Sequence, residues 1–145
     1  MEEMGFEQWL AQVPGYIKGE KFWQVLAYQK GLFLYELLWK DTEVWMRDER
    51  GKALARQIIA SADSICANIE EGFGRGFGKQ LTYFYTVSLG SARETKGRIY
   101  RARYFYTADV LDARLKLVGE VVALLITEIN RQKQMSKSAD GQTSK

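Results

Sequence analysis

The chain has no histidine, one cysteine and one proline in 145 residues. Without histidine, histidine-dependent triads, the usual zinc hydrolases and the commonest near-neutral proton shuttle are excluded. Cys66 alone cannot close an intramolecular disulfide or build a multi-cysteine metal site. Pro14 lies near the N-terminus, so the rest of the chain is free of the commonest helix breaker. No stretch approaches the roughly 20 apolar residues of a membrane span. The opening MEEMGFEQWLAQVPGYIKGE carries acids where a secretory signal would carry bases. These absences point to a soluble, cytoplasmic protein with no membrane partner.

Hydrophobic residues make up 46% of the chain, enough to bury a real core in one domain. The net charge of +3 hides an asymmetry. Residues 1–75 carry 9 Lys and Arg against 12 Asp and Glu, net −3, whereas residues 76–145 carry 12 against 6, net +6. Segregated charge suits self-assembly or an anionic partner, and it equally suits ordinary solvated helix faces.

Apolar spacing is helical throughout, and it predicts an all-α antiparallel up-and-down four-helix bundle. Residues 1–19 form a short amphipathic extension in which Phe6, Trp9, Leu10 and Val13 lie at helical spacing, and its expected role is to cover an apolar edge. The bundle domain spans 20–134, and 135–145 is a polar tail expected to be disordered. The first long helix is placed at about Glu20 to Asp48 and is apolar around most of its circumference. The second runs from about Ala53 to Glu71 with Leu54, Ile58, Ala62, Ile65 and Ile69 on one face, and is expected to stop at Gly72-Phe73-Gly74-Arg75-Gly76-Phe77-Gly78. The third, about Lys79 to Tyr106, carries a seam that is small and polar in its middle at Ser88, Ser91 and Thr95. The fourth, with Asp109 as its expected N-cap, runs to about Lys133. It shows two adjacent apolar seams, where a single bundle core needs one. The second seam and the apolar first helix favour a homo-oligomer.

Motifs with chemistry are few. GFGRGFGK lacks the glycine spacing and the following Ser or Thr of a phosphate-cradling loop, and no strand precedes it. Arg75 and Lys79 beside it still offer positive charge near the start of the third helix. Glu70 and Glu71 close the second helix, where the macrodipole disfavours negative charge, so a partner is expected on at least one of them. Arg75, or a hydroxyl or base on the third helix, is the candidate. The third helix then turns basic, with Arg93, Lys96, Arg98, Arg101 and Arg103 interleaved with Tyr100, Tyr104, Phe105 and Tyr106. Arginine offers bidentate phosphate contacts and aromatic rings stack on unpaired bases. Arg114, Lys116, Arg131, Lys133 and Lys137 are expected to add charge from beyond it. A solvated face with arginines paired to Glu94 or to neighbouring subunits fits the same residues. Cys66, among Ile65, Ala67 and Ile69, reads as a small buried thiol.

Ordered matches across most of the chain identify a family resemblance. Tyr28-Gln29-Lys30-Gly31 stands where the family carries Trp-Gln-Lys-Ala. Leu54, Gln57, Ser64, Ile65, Ala67, Asn68, Ile69, Glu71, Gly72, Gly74 and Arg75 match its second-helix pattern, and Leu89, Gly90, Ser91 and Glu94 its Leu-Gly-Ser-x-x-Glu element. From about Leu26 to Lys133 the chain resembles the bacterial four-helix bundle proteins encoded in intervening sequences of large-subunit ribosomal RNA genes. Cys66 replaces that family's usual proline, and residues 1–19 lie outside the resemblance.

The resemblance implies an antiparallel four-helix bundle assembling as a homopentamer. A related branch, the accessory variability determinant of diversity-generating retroelements, binds a reverse transcriptase and RNA. The implied function is a non-enzymatic accessory protein for RNA or a nucleoprotein, with no cofactor and no metal. A protein–protein scaffold with no nucleic-acid role is the alternative. Expected nucleic-acid contacts are Arg75, Lys79, Arg93, Lys96, Arg98, Tyr100, Arg101 and Arg103. Asn68, Glu71, Ser91 and Glu94 match the family's polar positions, and are expected to form a hydrogen-bonded network between the second and third helices or across subunits.

Overall fold

Helix boundaries follow from a few residues whose backbone leaves the helical region. Pro14 (φ −72°, ψ 157°), Val25 (φ −83°, ψ 115°) and Asp48 (φ −117°, ψ 137°) are extended, and each precedes a new helix. The computed structural model describes residues 3–75 and 79–143, without the side chains of 140–143. Its elements are α1 (Phe6–Gln12), α2 (Gly15–Lys18), a 3₁₀ turn (Lys21–Gln24), α3 (Leu26–Thr42), a 3₁₀ turn (Val44–Arg47), α4 (Glu49–Arg75), α5 (Lys79–Arg101), a 3₁₀ turn (Arg103–Phe105) and α6 (Ala108–Thr143). No strand occurs among the described residues.

The all-α expectation holds, with shifted boundaries. The expected first helix, Glu20 to Asp48, is broken into α3 and two flanking 3₁₀ turns. Helix α4 starts earlier than expected because Asp48 caps it. Its Oδ1 accepts from the amides of Arg50 at 2.8 Å and Gly51 at 3.0 Å, and these bonds, Gly51's first, hold the carboxyl below its ordinary range. Gly51, which falls between the expected first and second helices, is a buried residue inside α4. Helix α4 also passes through Gly72 and Gly74 to Arg75. Gly72 is not a helix stop: a Cβ there would lie 3.0 Å from Leu81 Cδ1 and from Phe84 Cβ, so glycine lets α4 and α5 approach closely. Gly76, Phe77 and Gly78 of the expected hinge lie outside the described residues. Thr107 Oγ1, rather than Asp109, accepts from the Val110 amide at 3.3 Å, and Asp109 falls in the first turn of α6. Helix α6 runs to Thr143 rather than ending near Lys133, since no proline interrupts the polar segment expected to be a disordered tail.

Paired residues set the directions of the helices. Tyr28 meets Glu70 and Gly31 meets Ile65 between α3 and α4. Ser61 meets Thr95 and Ser88 meets Ile65 between α4 and α5. Lys30 meets Glu120 and Asp41 meets Arg114 between α3 and α6. Numbers rise on one helix as they fall on its neighbour, so these pairs run antiparallel. Helix α5 packs against α4 and α6, and α3 packs against α4 and α6, giving the cyclic order α3–α4–α5–α6.

One core cluster joins all four long helices through Leu34, Leu38, Ile58, Ile65, Ile69, Ile99, Val118 and Leu125. Trp45 closes one end, stacked on Phe105 at 5.1 Å between ring centroids and edge-on to Tyr106 at 5.4 Å. A second cluster explains the broad apolar face of α3. Trp9 of α1 buries itself against Phe33 and Leu37, with Phe6, Leu10 and Val13 packed beside it. The extension does cover an apolar edge. Three residues of the second seam of α6 (Val110, Leu117, Val121 and Leu124) face inward as well: Val121 is buried in the main cluster, Leu124 packs on it, and Leu117 joins both clusters, whereas Val110 belongs to neither.

Candidate nucleic-acid interface

Polar residues between α4 and α5 form a buried hydroxyl seam. Ser64 Oγ lies 2.8 Å from Ser91 Oγ, and Asn68 Nδ2 donates to the Ser64 carbonyl at 2.8 Å and to Ser64 Oγ at 2.9 Å. One step along, Thr95 Oγ1 lies 2.9 Å from Ser61 Oγ and 2.7 Å from the Ser91 carbonyl oxygen. Ser88 donates across to the Ile65 carbonyl at 2.7 Å. Small hydroxyl side chains let the two backbones come close, and each hydroxyl finds a partner, as buried polar groups require.

Of the four expected network residues, Asn68 and Ser91 meet here, both on Ser64. Glu71 and Glu94 do not. Glu71 takes Arg75 at 2.9 Å on its own helix, and Glu94 takes Arg98 at 3.5 Å, both exposed i,i+4 pairs. Neither carboxylate reaches the interhelical seam, because both project from the solvent side. Ser61, Ser64, Ser88 and Thr95 complete the seam, and their spacing of three to four residues on facing helices was the available signal.

Glu70 also has a partner, on α3 rather than on Arg75 or the third helix. Tyr28 donates to Glu70 Oε2 at 2.7 Å, and burial together with this bond pushes the Tyr28 hydroxyl well above its ordinary range. Cys66 is buried and free, and burial pushes its thiol up, which leaves it inert.

The eight expected nucleic-acid residues fall into different environments. Arg75 is engaged by Glu71, in a surface hollow that Glu70 also lines. Arg98 clamps α5 onto α4, donating to the Gln57 carbonyl at 2.7 Å. Lys79 stands exposed at the start of α5, roughly 30 Å of helix away from Arg101. The other five gather along the C-terminal half of α5 and the 3₁₀ turn that follows it. Arg93, Lys96 and Tyr100 line a groove with Leu115 and Val122 of α6 on its floor. Arg101 is exposed and its guanidinium lies over Gly97. Arg103 lies between two tyrosines, with its guanidinium carbon 4.6 Å from the Tyr100 ring centroid and 4.5 Å from that of Tyr104. Its nitrogens donate to the Tyr100 carbonyl at 3.2 Å and to Tyr104 Oη at 2.8 Å. Tyr100 is 53% and Tyr104 79% exposed, so the far faces of the stack are open to solvent. Among the described residues, Arg93, Lys96, Arg101 and Arg103 form no ion pair.

Of the five charges expected from α6, three are engaged elsewhere, while Lys133 and Lys137 are exposed and form no ion pair among the described residues. Lys116 pairs with Asp112 at 3.0 Å and Arg131 with Glu128 at 3.1 Å. Arg114 is only 4% exposed and grips Asp41, so it adds nothing to a basic surface. No cluster of potential metal ligands occurs among the described residues. Among them, too, no helix is long and apolar enough to cross a membrane.

Comparison with known proteins supports this architecture. A crystal structure of a protein of unknown function from the S23 ribosomal protein family of Bacteroides thetaiotaomicron VPI-5482 superposes with a TM-score of 0.66 at 20% identity, covering 71% of this chain and 97% of that one. The comparison with curated proteins finds no match. The model of the 23S rRNA-intervening sequence protein family matches residues 24–127. That span takes in α3, α4, α5 and the first half of α6, together with the hydroxyl seam and the basic end of α5, and the chain belongs to the 23S rRNA-intervening sequence protein family.

Proposed function

We propose that this protein is a non-enzymatic, self-associating accessory factor that binds RNA, free or held in a nucleoprotein, in the cytoplasm. One observation carries the reading: the Tyr100–Arg103–Tyr104 stack, with Arg101 beside it and no carboxylate paired to either arginine among the described residues. Two exposed rings flanking a guanidinium offer unpaired bases a stacking platform, and the guanidinium edges suit phosphate. Membership of the 23S rRNA-intervening sequence protein family supports RNA as the polymer. A ring of identical subunits would repeat the patch and multiply a weak attraction.

The test is fluorescence anisotropy with labelled single-stranded and hairpin RNA, titrated across salt. Affinity should fall steeply as salt rises, and Arg101→Glu/Arg103→Glu should weaken it at least tenfold. Tyr104→Ala should weaken single-stranded binding more than hairpin binding. Absence of binding at low salt, with the assembly intact, would refute the nucleic-acid reading and leave a protein–protein scaffold.

A further inference from the structure

The two ends of the bundle are built differently. At one end, Trp45 stacks on Phe105 and meets Tyr106 edge-on, and the core is closed. At the other, α3 starts, α4 ends and α5 starts, while α6 runs on past its last core residue, Ile129, to Thr143. A hollow of about 560 Å³ opens there, within the range of roughly 300–1,000 Å³ usual for small-molecule sites. Buried Val25 and Leu81 line it together with Phe73, and Met135 adds an apolar wall from α6.

Tyr85 also lines this hollow, and it is only 1% exposed. Tyr28 and Tyr106 each donate to a carboxylate at 2.7 Å, but the Tyr85 hydroxyl has no hydrogen-bond partner among the described residues. Among those residues no fully enclosed side-chain polar atom lacks a partner, so this hydroxyl reaches open space, and the space that Tyr85 borders is the hollow. A phenol buried to this degree normally finds a partner, and a molecule bound in the hollow would supply one. Burial, followed by Glu128, raises the hydroxyl above its ordinary range, while Arg131 acts the other way, so at neutral pH it is protonated and able to donate.

The remaining polar groups of the hollow select the charge of that molecule. Lys21 is exposed at its edge and forms no ion pair among the described residues. Arg131 binds Glu128 through Nη2 alone, at 3.1 Å to each oxygen, so the one carboxylate lining the hollow is already taken. Two cations against one engaged anion, with unused donors on Lys21 and Tyr85, suit a negatively charged, acceptor-rich head.

We propose that this end hollow binds a small organic carboxylate, its apolar body against Val25, Phe73 and Leu81 and its carboxylate accepting from Tyr85 and Lys21. An amine would meet two cations, and a neutral alcohol would leave the Lys21 charge unused. The site goes beyond RNA binding and stands apart from it, because the Tyr100–Arg103–Tyr104 stack lies at the closed end of the bundle.

Isothermal titration calorimetry of the full chain with octanoate, octanol and octylamine tests the site. Octanoate should bind once per chain, about tenfold or more tighter than octanol, and octylamine more weakly than either. Tyr85→Phe keeps the ring and removes only the hydroxyl, and Lys21→Gln changes an exposed residue, so both variants should fold, which far-UV circular dichroism checks. Each should weaken octanoate about tenfold, the loss expected of a hydrogen bond to a charged group. Lys21→Gln should leave octanol unchanged. Trp39→Arg, in the apolar groove of about 980 Å³ between α3 and α4, should leave octanoate unchanged. No heat of binding with octanoate at millimolar concentration overturns the proposal. Equal affinities for octanoate and octanol overturn the anion assignment. Octanoate binding that ignores Tyr85→Phe, or that is lost in Trp39→Arg, places the ligand elsewhere and overturns the site.

Discussion

Arg114 grips Asp41 through two parallel bonds, Nε to Oδ2 at 2.7 Å and Nη2 to Oδ1 at 2.9 Å. Tyr106 donates to the same Oδ2 at 2.7 Å, and Glu3 of the extension reaches Arg114 Nη2 at 2.7 Å. One buried guanidinium thus ties α3, α6, the turn before α6 and the N-terminal segment together. Burial alone would lower the basicity of Arg114, but the Asp41 and Glu3 contacts outweigh it, so it stays charged. A buried ion pair is weak evidence of net stabilisation, but removing one partner strands the other.

Asp41→Ala should therefore cost about 3 kcal/mol, the lower end for a stranded buried charge because Glu3 remains in place. Glu3→Ala should cost less than about 1 kcal/mol, since that carboxylate is exposed and Asp41 keeps both its bonds. Urea denaturation of the two variants checks the ranking. Equal losses would show that the two carboxylates share Arg114 evenly.

Two glycines inside helices should respond to alanine with opposite signs. A Cβ at Gly51 would run into the backbone carbonyl of Trp45, with Phe105 Cζ at 3.0 Å. Backbone cannot swing aside, so Gly51→Ala should destabilise by about 2–3 kcal/mol through overpacking. Gly90 is exposed in the interior of α5, with nothing within 4 Å of its Cβ position. Gly90→Ala should stabilise by about 0.5–1 kcal/mol through helix propensity. Thermal melts of both variants decide the point, and a shift of the same sign in both would refute the assignment.

Much of this arrangement is legible in the sequence. The periodicity at Leu54, Ile58, Ala62, Ile65 and Ile69 placed α4 on the core, and four of these five are buried. Phe6, Trp9, Leu10 and Val13 placed an apolar cap correctly, because spacing along a short helix records one face. What spacing does not record is which neighbour lies opposite. The second α6 seam and the apolar α3 suggest an intermolecular surface, yet Leu117, Phe33 and Leu37 are covered by the chain's own extension. The α4 glycines look like a stop, because their sequence cannot show that Leu81 and Phe84 press against Gly72.

Charge is the least legible quantity. Arg75, Arg98 and Arg114 count equally with Arg101 in a tally of basic residues. The sequence already offers Arg75 as a partner for Glu71, but only the fold shows that the Gln57 carbonyl and Asp41 engage the other two. Conversely, Ser64 lies in a stretch whose family match points at Asn68, Glu71, Ser91 and Glu94. Its hydroxyl is the shared point of the seam because α4 and α5 come close there, a distance that no residue type announces.

The extension should contribute to stability as part of the core, although the family model does not include it. Trp9 packs against Phe33 at 5.3 Å and Trp23 at 6.2 Å between ring centroids, and Phe6 lies under Lys30 Nζ at 3.9 Å. Trp9→Ala should cost about 3 kcal/mol, at the low end for a buried indole because the site lies at an edge that can relax. Deleting residues 1–19 should cost more, since it uncovers Phe33 and Leu37 and removes Glu3 from Arg114. Urea unfolding of the point variant, followed by far-UV circular dichroism, is the measurement. A loss under about 0.5 kcal/mol, the size of an ordinary surface substitution, would mean that α1 is not part of the core.

Alkaline pH should destabilise the protein through its buried tyrosines. Burial comes first in raising Tyr28, Tyr85 and Tyr106 above the ordinary phenol value, with Glu70 and Asp41 adding to it at Tyr28 and Tyr106. Near pH 10 the unfolded chain begins to release these protons while the native state holds them. The native state then binds more protons, so stability falls as pH rises above about 10 and is unaffected by these groups below it. Tyr85 isolates the effect, because its shift comes from burial with charged neighbours of both signs, Glu128 and Arg131. Tyr85→Phe should leave stability at pH 7 within about 1 kcal/mol and should flatten the decline between pH 10 and 11. Urea unfolding at pH 7, 10 and 11 compares the two proteins. Parallel declines would show that the Tyr85 hydroxyl titrates alike in the folded and unfolded chain, and would place it in contact with water rather than in the core.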